Sequence, residues 1–167
     1  MLWLLVVLAF IGSALGTASV QRPKITSCSK SEKFMLSDVS ITNAQIGQSM
    51  VVNTSINIRE PLGSSPTLSV TMRKQSGSKI PCLGSVGSCT YKLCRGTTSE
   101  EQELAKPWQN QCPVPAITVQ ESKETHLTPM SQIIIGKAPT TISFKLKVVD
   151  GGATVGCQSF KVEIAAA

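Results

Sequence analysis

The stretch from Ile80 to Cys94 constrains the fold more than any other part of the chain. It reads Ile80-Pro81-Cys82-Leu83-Gly84-Ser85-Val86-Gly87-Ser88-Cys89-Thr90-Tyr91-Lys92-Leu93-Cys94, and it holds three of the six cysteines. Gly84 and Gly87 give the backbone enough freedom for Cys82 and Cys89 to approach each other, so a local bridge across this short loop is sterically reasonable. Alternating apolar runs flank it on both sides, and the stretch reads as the stapled rim of a small β-sandwich.

The compartment decides how the cysteines are read. Leu2 to Leu15 is an apolar run too short to span a bilayer comfortably, and small residues follow it at Ala14-Leu15-Gly16 and Gly16-Thr17-Ala18. This is the pattern of a cleaved secretory signal, expected over residues 1–18, with one domain over 19–167. Cys28, Cys82, Cys89, Cys94, Cys112 and Cys157 all lie after it. In an oxidising compartment, secreted or lysosomal, they form three disulfides, with the connectivity left open by spacing alone. Zinc is a poor alternative, because no Cys-x2-Cys pair occurs and His126 is the only histidine. No metal and no cofactor is expected.

The net charge of +6 suits an anionic surface such as acidic lipid headgroups. Nucleic acid fits less well, since the basic residues are dispersed and the chain after the leader has only Phe34, Tyr91, Trp108, Phe144 and Phe160 for stacking.

Period-two patterning then runs through most of the chain. Gln21 to Lys33 reads as a polar leading segment; Val39 and Ile41 alternate with Ser40 and Thr42. Met50, Val52, Thr54, Ile56 and Ile58 share one strand face, and Val51, Asn53, Ser55, Asn57 and Arg59 the other. Asn53-Thr54-Ser55 is a glycosylation sequon on the polar face. Leu68, Val70 and Met72 form the next inward row. Glu100 to Lys106 predicts a short helical insert ended by Pro107, with Trp108 beyond it as either a plug for the core or an exposed contact. Ala116 to Gln120 reads as a short edge strand after Pro115, and Ile133-Ile134-Ile135 as a strand apolar on both faces. Ile142, Phe144, Leu146 and Val148 then face one way, Asp150-Gly151-Gly152 turns the chain, and Val155 to Ile164 returns. About eight short strands with little helix predict an all-β, two-sheet antiparallel sandwich.

The residues assemble no catalytic set. His126 lies in a polar stretch, no Gly-x-Ser-x-Gly elbow or glycine-rich phosphate loop occurs, and the acidic residues form no obvious buried pair. The expectation is a protein that is not an enzyme.

Ile80-Pro81-Cys82, Gly87-Ser88-Cys89-Thr90-Tyr91, Cys94, Cys112-Pro113 and the late Gly156-Cys157 together resemble the ML lipid-recognition family. Within it they look most like the ganglioside activator branch; the Niemann-Pick type C sterol carrier and the group 2 mite allergens are further members. The resemblance implies an immunoglobulin-like sandwich whose sheets splay at one edge, with a cavity that takes acyl or sterol tails. It also implies the pairing Cys28–Cys157, Cys82–Cys89 and Cys94–Cys112. The first closes nearly the whole domain, worth a nominal chain-entropy effect of roughly 4–5 kcal/mol. The segment ahead of Ile80, Gln75-Ser76-Gly77-Ser78-Lys79, is polar where the activator has an apolar membrane-entering loop, which leaves Trp108 as the substitute contact.

The implied function is secreted lipid binding or transfer, holding the tails of a glycolipid, phospholipid, fatty acid or sterol. The expected cavity lining is Val52, Ile56, Val70, Met72, Trp108, Ile133, Ile135, Phe144, Leu146, Val148 and Phe160. Expected partners are a lipid ligand, a membrane surface touched transiently, and a client hydrolase or receptor. The alternative is an innate-immune recognition module for microbial glycolipids, with Lys79, Lys92 and Arg95 meeting phosphate or sulfate, or an accessory protein for a receptor.

Overall fold

The computed structural model describes residues 19–167, so the expected signal segment over 1–18 lies outside the described residues. In chain order the strands are β1 (Val20–Gln21), β2 (Thr26–Ser27), β3 (Phe34–Thr42), β4 (Ser49–Ile58), β5 (Thr67–Arg73), β6 (Lys79–Ile80), β7 (Thr90–Lys92), β8 (Ile117–His126), β9 (Thr140–Asp150) and β10 (Ala153–Ile164). Two short helices, α1 (Ser99–Leu104) and α2 (Ser131–Ile135), interrupt them. The strands form two antiparallel sheets, one ordered β1-β3-β4-β8 and the other β2-β10-β9-β5-β6, with β7 also on β5. The all-β two-sheet sandwich expected from the alternation is what the chain forms.

The sequence reaches this arrangement by burying one face of each long strand. Ile41, Ile58, Leu68, Val148 and Val162 are among the buried inward residues that join into one core. In β3 the inward set changes parity, from Phe34 and Leu36 to Val39 and Ile41. A register shift between Ser37 and Ser40 accounts for it, with Asp38 at φ 51° taking up the extra residue as a β-bulge. Without that shift the second half of the strand would present its apolar side chains to solvent.

The three disulfides are Cys28–Cys157, Cys82–Cys89 and Cys94–Cys112, with Cα separations of 4.9, 4.9 and 5.5 Å. This is the pairing that the family resemblance implied. The turn at Asp150-Gly151-Gly152 joins β9 to β10 as expected.

Three local expectations change. β8 runs well past Gln120 to His126, because every residue from Ile117 pairs with β4 and the ladder holds a polar sequence in extended form. It is an edge strand, as the preceding proline suggested. The isoleucine run is not a strand: Ile133, Ile134 and Ile135 lie in α2. That segment carries the chain from one sheet to the other, so it has no neighbouring strand to pair with, and it coils instead. Helical structure is also more than one insert, since α2 joins α1 and α1 continues into a 3-10 turn at Lys106–Trp108.

Candidate functional site

The two sheets meet most tightly where β10 crosses β3. A Cβ built on Gly156 would lie 2.2 Å from the Phe34 carbonyl oxygen, so only glycine permits this approach. Two residues on, the buried Gln158 side chain bridges the sheets: its Oε1 accepts from the Leu36 N–H at 3.3 Å and its Nε2 donates to the Phe34 carbonyl at 3.5 Å. Cys157, between them, carries the disulfide to Cys28. Backbone contact and an amide bridge thus hold the two sheets together along one side, while the disulfide ties β10 to the segment after β2 within its own sheet.

The opposite side is built from β8 in one sheet and β5 in the other, and it is looser. On β4, Ile58 and Ile56 are buried, whereas Val52 and Met50 in the same inward row keep partial solvent access. On β5 Leu68 is buried but Val70 and Met72 are not fully covered. β9 repeats the pattern, with Val148 buried and Leu146 and Phe144 partly exposed. Phe144 stacks on Phe160 of β10 at a centroid distance of 5.2 Å and an interplanar angle of 9°, and Phe160 itself is buried. Five inward side chains, Val52, Val70, Met72, Phe144 and Leu146, therefore pack against the core while keeping partial solvent access.

One lip of this opening is polar. Along β8 the inward row starts apolar with Ile117 and Val119 and becomes Glu121, Lys123 and Thr125, opposite Thr54, Val52 and Met50 of β4. Burial and the nearby Glu103 carboxylate raise the Glu121 carboxyl above its ordinary value. Lys123 in turn is near enough to Glu100 to favour its charged form, after backbone and serine hydrogen bonds. α1 thus brings Glu100 and Glu103 within electrostatic range of the β8 lip.

The same helix is anchored to the other sheet through Glu101. Its carboxylate accepts backbone N–H bonds from Lys92 at 2.8 Å, Thr97 at 2.9 Å and Thr98 at 3.2 Å. It completes a capping box with Thr98, whose hydroxyl accepts from the Glu101 N–H. The bond from Lys92 is the leading reason its carboxyl titrates below the ordinary value. The insert thus spans from β7 toward β8 across part of the open side.

The Cys82–Cys89 loop borders the opening beside β5. Ser88 Oγ accepts from the Met72 N–H at 2.9 Å, and Tyr91 Oη donates to the Ser85 carbonyl at 3.0 Å. Gly87, at φ 107°, passes the Pro81 carbonyl so closely that a Cβ would lie 1.9 Å from the oxygen. This loop holds Leu83 and Val86 at 51% and 54% exposure. They escaped the sequence reading, although two aliphatics set among glycines and serines inside a disulfide loop were a usable signal.

Other expected residues fall as follows. Trp108 is buried and donates its indole N–H to the Leu93 carbonyl at 2.6 Å, which makes it a plug of the core and removes it as an exposed membrane contact. Ile56 and Val148 belong to the buried core, Ile135 is partly covered, and Ile133 is 75% exposed. Met130 is exposed beside it, so the connection carrying α2 offers a second apolar tip. Asn53 is exposed on the outward face of β4. Lys79, Lys92 and Arg95 are exposed around the stapled rim. His126 ends β8, with Nδ1 3.4 Å from Ser49 Oγ. Among the described residues, no group of three or more His, Cys, Asp or Glu is placed to hold a metal ion, and no helix is long and apolar enough to cross a membrane.

No protein-family model matches the chain, and no curated protein matches it either. Solved structures with a similar course include a Niemann-Pick type C2 protein from Japanese carpenter ant, 10% identical, covering 84% of this chain and 98% of that one with a TM-score of 0.46. The C-terminal domain of wzt is 7% identical over 87% of this chain and 78% of that one, TM-score 0.44. An alkylpurine DNA glycosylase AlkC from Pseudomonas fluorescens is 12% identical over 80% of this chain and 31% of that one, TM-score 0.40. Their likeness is one of general form. At these scores it carries nothing about ligand or activity.

Proposed function

We propose that this chain is a lipid carrier of the ML type, holding hydrocarbon tails between its sheets without altering them. The observation that carries the reading is the row of inward apolar residues left accessible on the β5/β8 side: Val52, Val70, Met72, Phe144 and Leu146. An inward aliphatic face normally seals itself, since each buried side chain contributes about 1.5–3 kcal/mol. Tails entering from this side would complete that burial. Ile56, Val148 and Phe160 form the floor beneath them, and Ile133 and Ile135 belong to the connection near the opening; Trp108 supports the fold from the core.

The polar lip of Glu121, Lys123 and Thr125 suits an amphipathic lipid, whose headgroup stays at the edge while its tails enter. Leu83, Val86, Met130 and Ile133 supply apolar tips for a transient membrane contact, in place of the tryptophan expected from the sequence. The reading includes export through the leader, a secreted or lysosomal location in keeping with three disulfides, a glycan on Asn53, and delivery to a client hydrolase or receptor.

The test is native mass spectrometry of protein purified from a eukaryotic secretion host, followed by organic extraction and lipid analysis. The expected result is a mass excess equal to one or two lipids, abolished by extraction. Protein that is lipid-free when isolated, and stays so when offered phospholipid, glycolipid, fatty acid and sterol, overturns carriage.

A further inference from the structure

The outward face of the six-stranded sheet has a chemistry that lipid carriage does not use. Its cross-strand rows read Ser69–Lys147, Thr71–Lys145–Ser159 and Arg73–Ser143–Lys161 across β5, β9 and β10. Each cation therefore has a hydroxyl as its neighbour on the next strand. All four cations are exposed, and neither ion pair found among the described residues, Lys33–Glu60 and Arg59–Glu32, involves them. Arg73 donates to the Gly77 carbonyl at 2.9 Å, which holds its guanidinium near the sheet.

The face is also concave. A depression of about 330 Å³ is lined by Arg73, Lys145 and Lys147 together with hydroxyls and the inward-facing Phe144, and contains no carboxylate. A neighbouring one of about 720 Å³ shares Arg73 and Ser143 with it, adds Arg22, Lys74 and Lys161, and has Glu163 as its one carboxylate. Residues two apart on a strand lie about 7 Å apart and adjacent strands about 5 Å. These cations thus repel one another within about one Debye length at physiological salt, ~8 Å.

We propose that this face binds a sulfated polysaccharide chain laid across β5, β9 and β10. A single small anion would neutralise one or two of the cations, whereas an extended polyanion relieves the repulsion along the whole row. The interleaved serines and threonines match the hydroxyls and sulfate oxygens of a sugar chain. A membrane is the poorer partner, because the exposed large apolar residues lie elsewhere: Val20 in the other sheet, Leu83 and Val86 in the disulfide loop, Met130 and Ile133 in the α2 connection. Nucleic acid is poorer too, since the outward positions of these strands carry no aromatic ring for base stacking. The site does not depend on lipid carriage, because it lies on the opposite side of the sheet.

The experiment measures binding of the full chain to a size-defined heparin oligosaccharide at ~0.15 M salt, where exposed charges are already well screened. Lys145→Gln/Lys147→Gln/Lys161→Gln is compared with Lys30→Gln/Lys106→Gln/Lys137→Gln, which removes the same charge elsewhere. Loss of about tenfold or more in the first, and of about twofold or less in the second, is the expected result for a local site. Where the first variant lacks a cooperative melt, Lys145→Gln alone replaces it, with a loss of about threefold expected. Equal losses in both triple variants, no binding by the unaltered chain, or binding to phosphatidylserine vesicles in preference to heparin would each overturn the proposal.

Discussion

Gly156 runs so close beneath Phe34 that a methyl group on its Cα would lie 2.2 Å from the Phe34 carbonyl oxygen. The obstacle is backbone, so no side chain can rotate aside to make room. This contact draws the sheets together on the β3/β10 side, and the sandwich can then be loose only on the other. Gly156→Ala is expected to destabilise the fold by about 1–3 kcal/mol or more, the range for overpacking an interior. Urea unfolding should show a lower midpoint with an unchanged slope; an unaltered midpoint would contradict the close approach.

The disulfides differ widely in the length of chain they close. Sequence separations of 129, 18 and 7 rank Cys28–Cys157 first and Cys82–Cys89 last. The chain-entropy model assigns the longest about 5 kcal/mol and the shortest about 2 kcal/mol. Paired Cys→Ser variants compared by thermal melting should follow that order, and a Cys82/Cys89 variant less stable than a Cys28/Cys157 variant would be a contrary result.

Glu101 and Glu121 should give the protein opposite responses to pH. Hydrogen bonds, led by that from Lys92 N–H, hold the Glu101 carboxyl below its ordinary 4.5, so its contribution is complete above that value and fades as pH falls through the folded-state pKa. Burial, aided by Glu103, raises Glu121 above 4.5. Its folded form prefers the proton, so stability declines as pH rises from 4.5 through the raised value. Glu101→Gln should therefore flatten the acid limb of a stability-against-pH curve. Glu121→Gln should raise the neutral plateau and leave the acid limb alone. Chemical denaturation from pH 3 to 8 distinguishes the two, and identical curves for both variants would contradict this assignment.

Filling the opening tests lipid carriage without removing any contact. Val70 faces inward on β5 and is incompletely covered. Val70→Trp should occupy the space that tails would take, and lipid recovered per protein should fall severalfold while the melt remains cooperative. Lipid content equal to that of the unaltered chain would place the ligand elsewhere.

Much of the architecture was legible because a half-buried strand writes its period directly into the chain. Met50, Val52, Thr54, Ile56 and Ile58 face inward as their alternation indicated, and the Asp150-Gly151-Gly152 turn joins the strands it was expected to join. Alternation misleads where the neighbours decide the state. Ile133 to Ile135 had strand composition but no strand beside it, and formed α2. Residues Glu121 to His126 had little strand character, yet the β4 ladder extends them. Trp108 was ambiguous for a related reason, since an indole serves equally as a plug or a surface anchor. The Leu93 carbonyl it meets is distant in sequence and settles the matter as a plug.

By itself the sequence determined that the chain makes two antiparallel sheets held by three disulfides, because alternation and cysteine content are local properties that survive without knowledge of neighbours. Only the tertiary structure decided which side of the sandwich is clamped and which remains open. That asymmetry comes from distant pairs, Gly156 under Phe34 on one side and β8 opposite β5 on the other. The distance between two sheets is set by the backbones and side chains that meet across it, and no single strand carries that information.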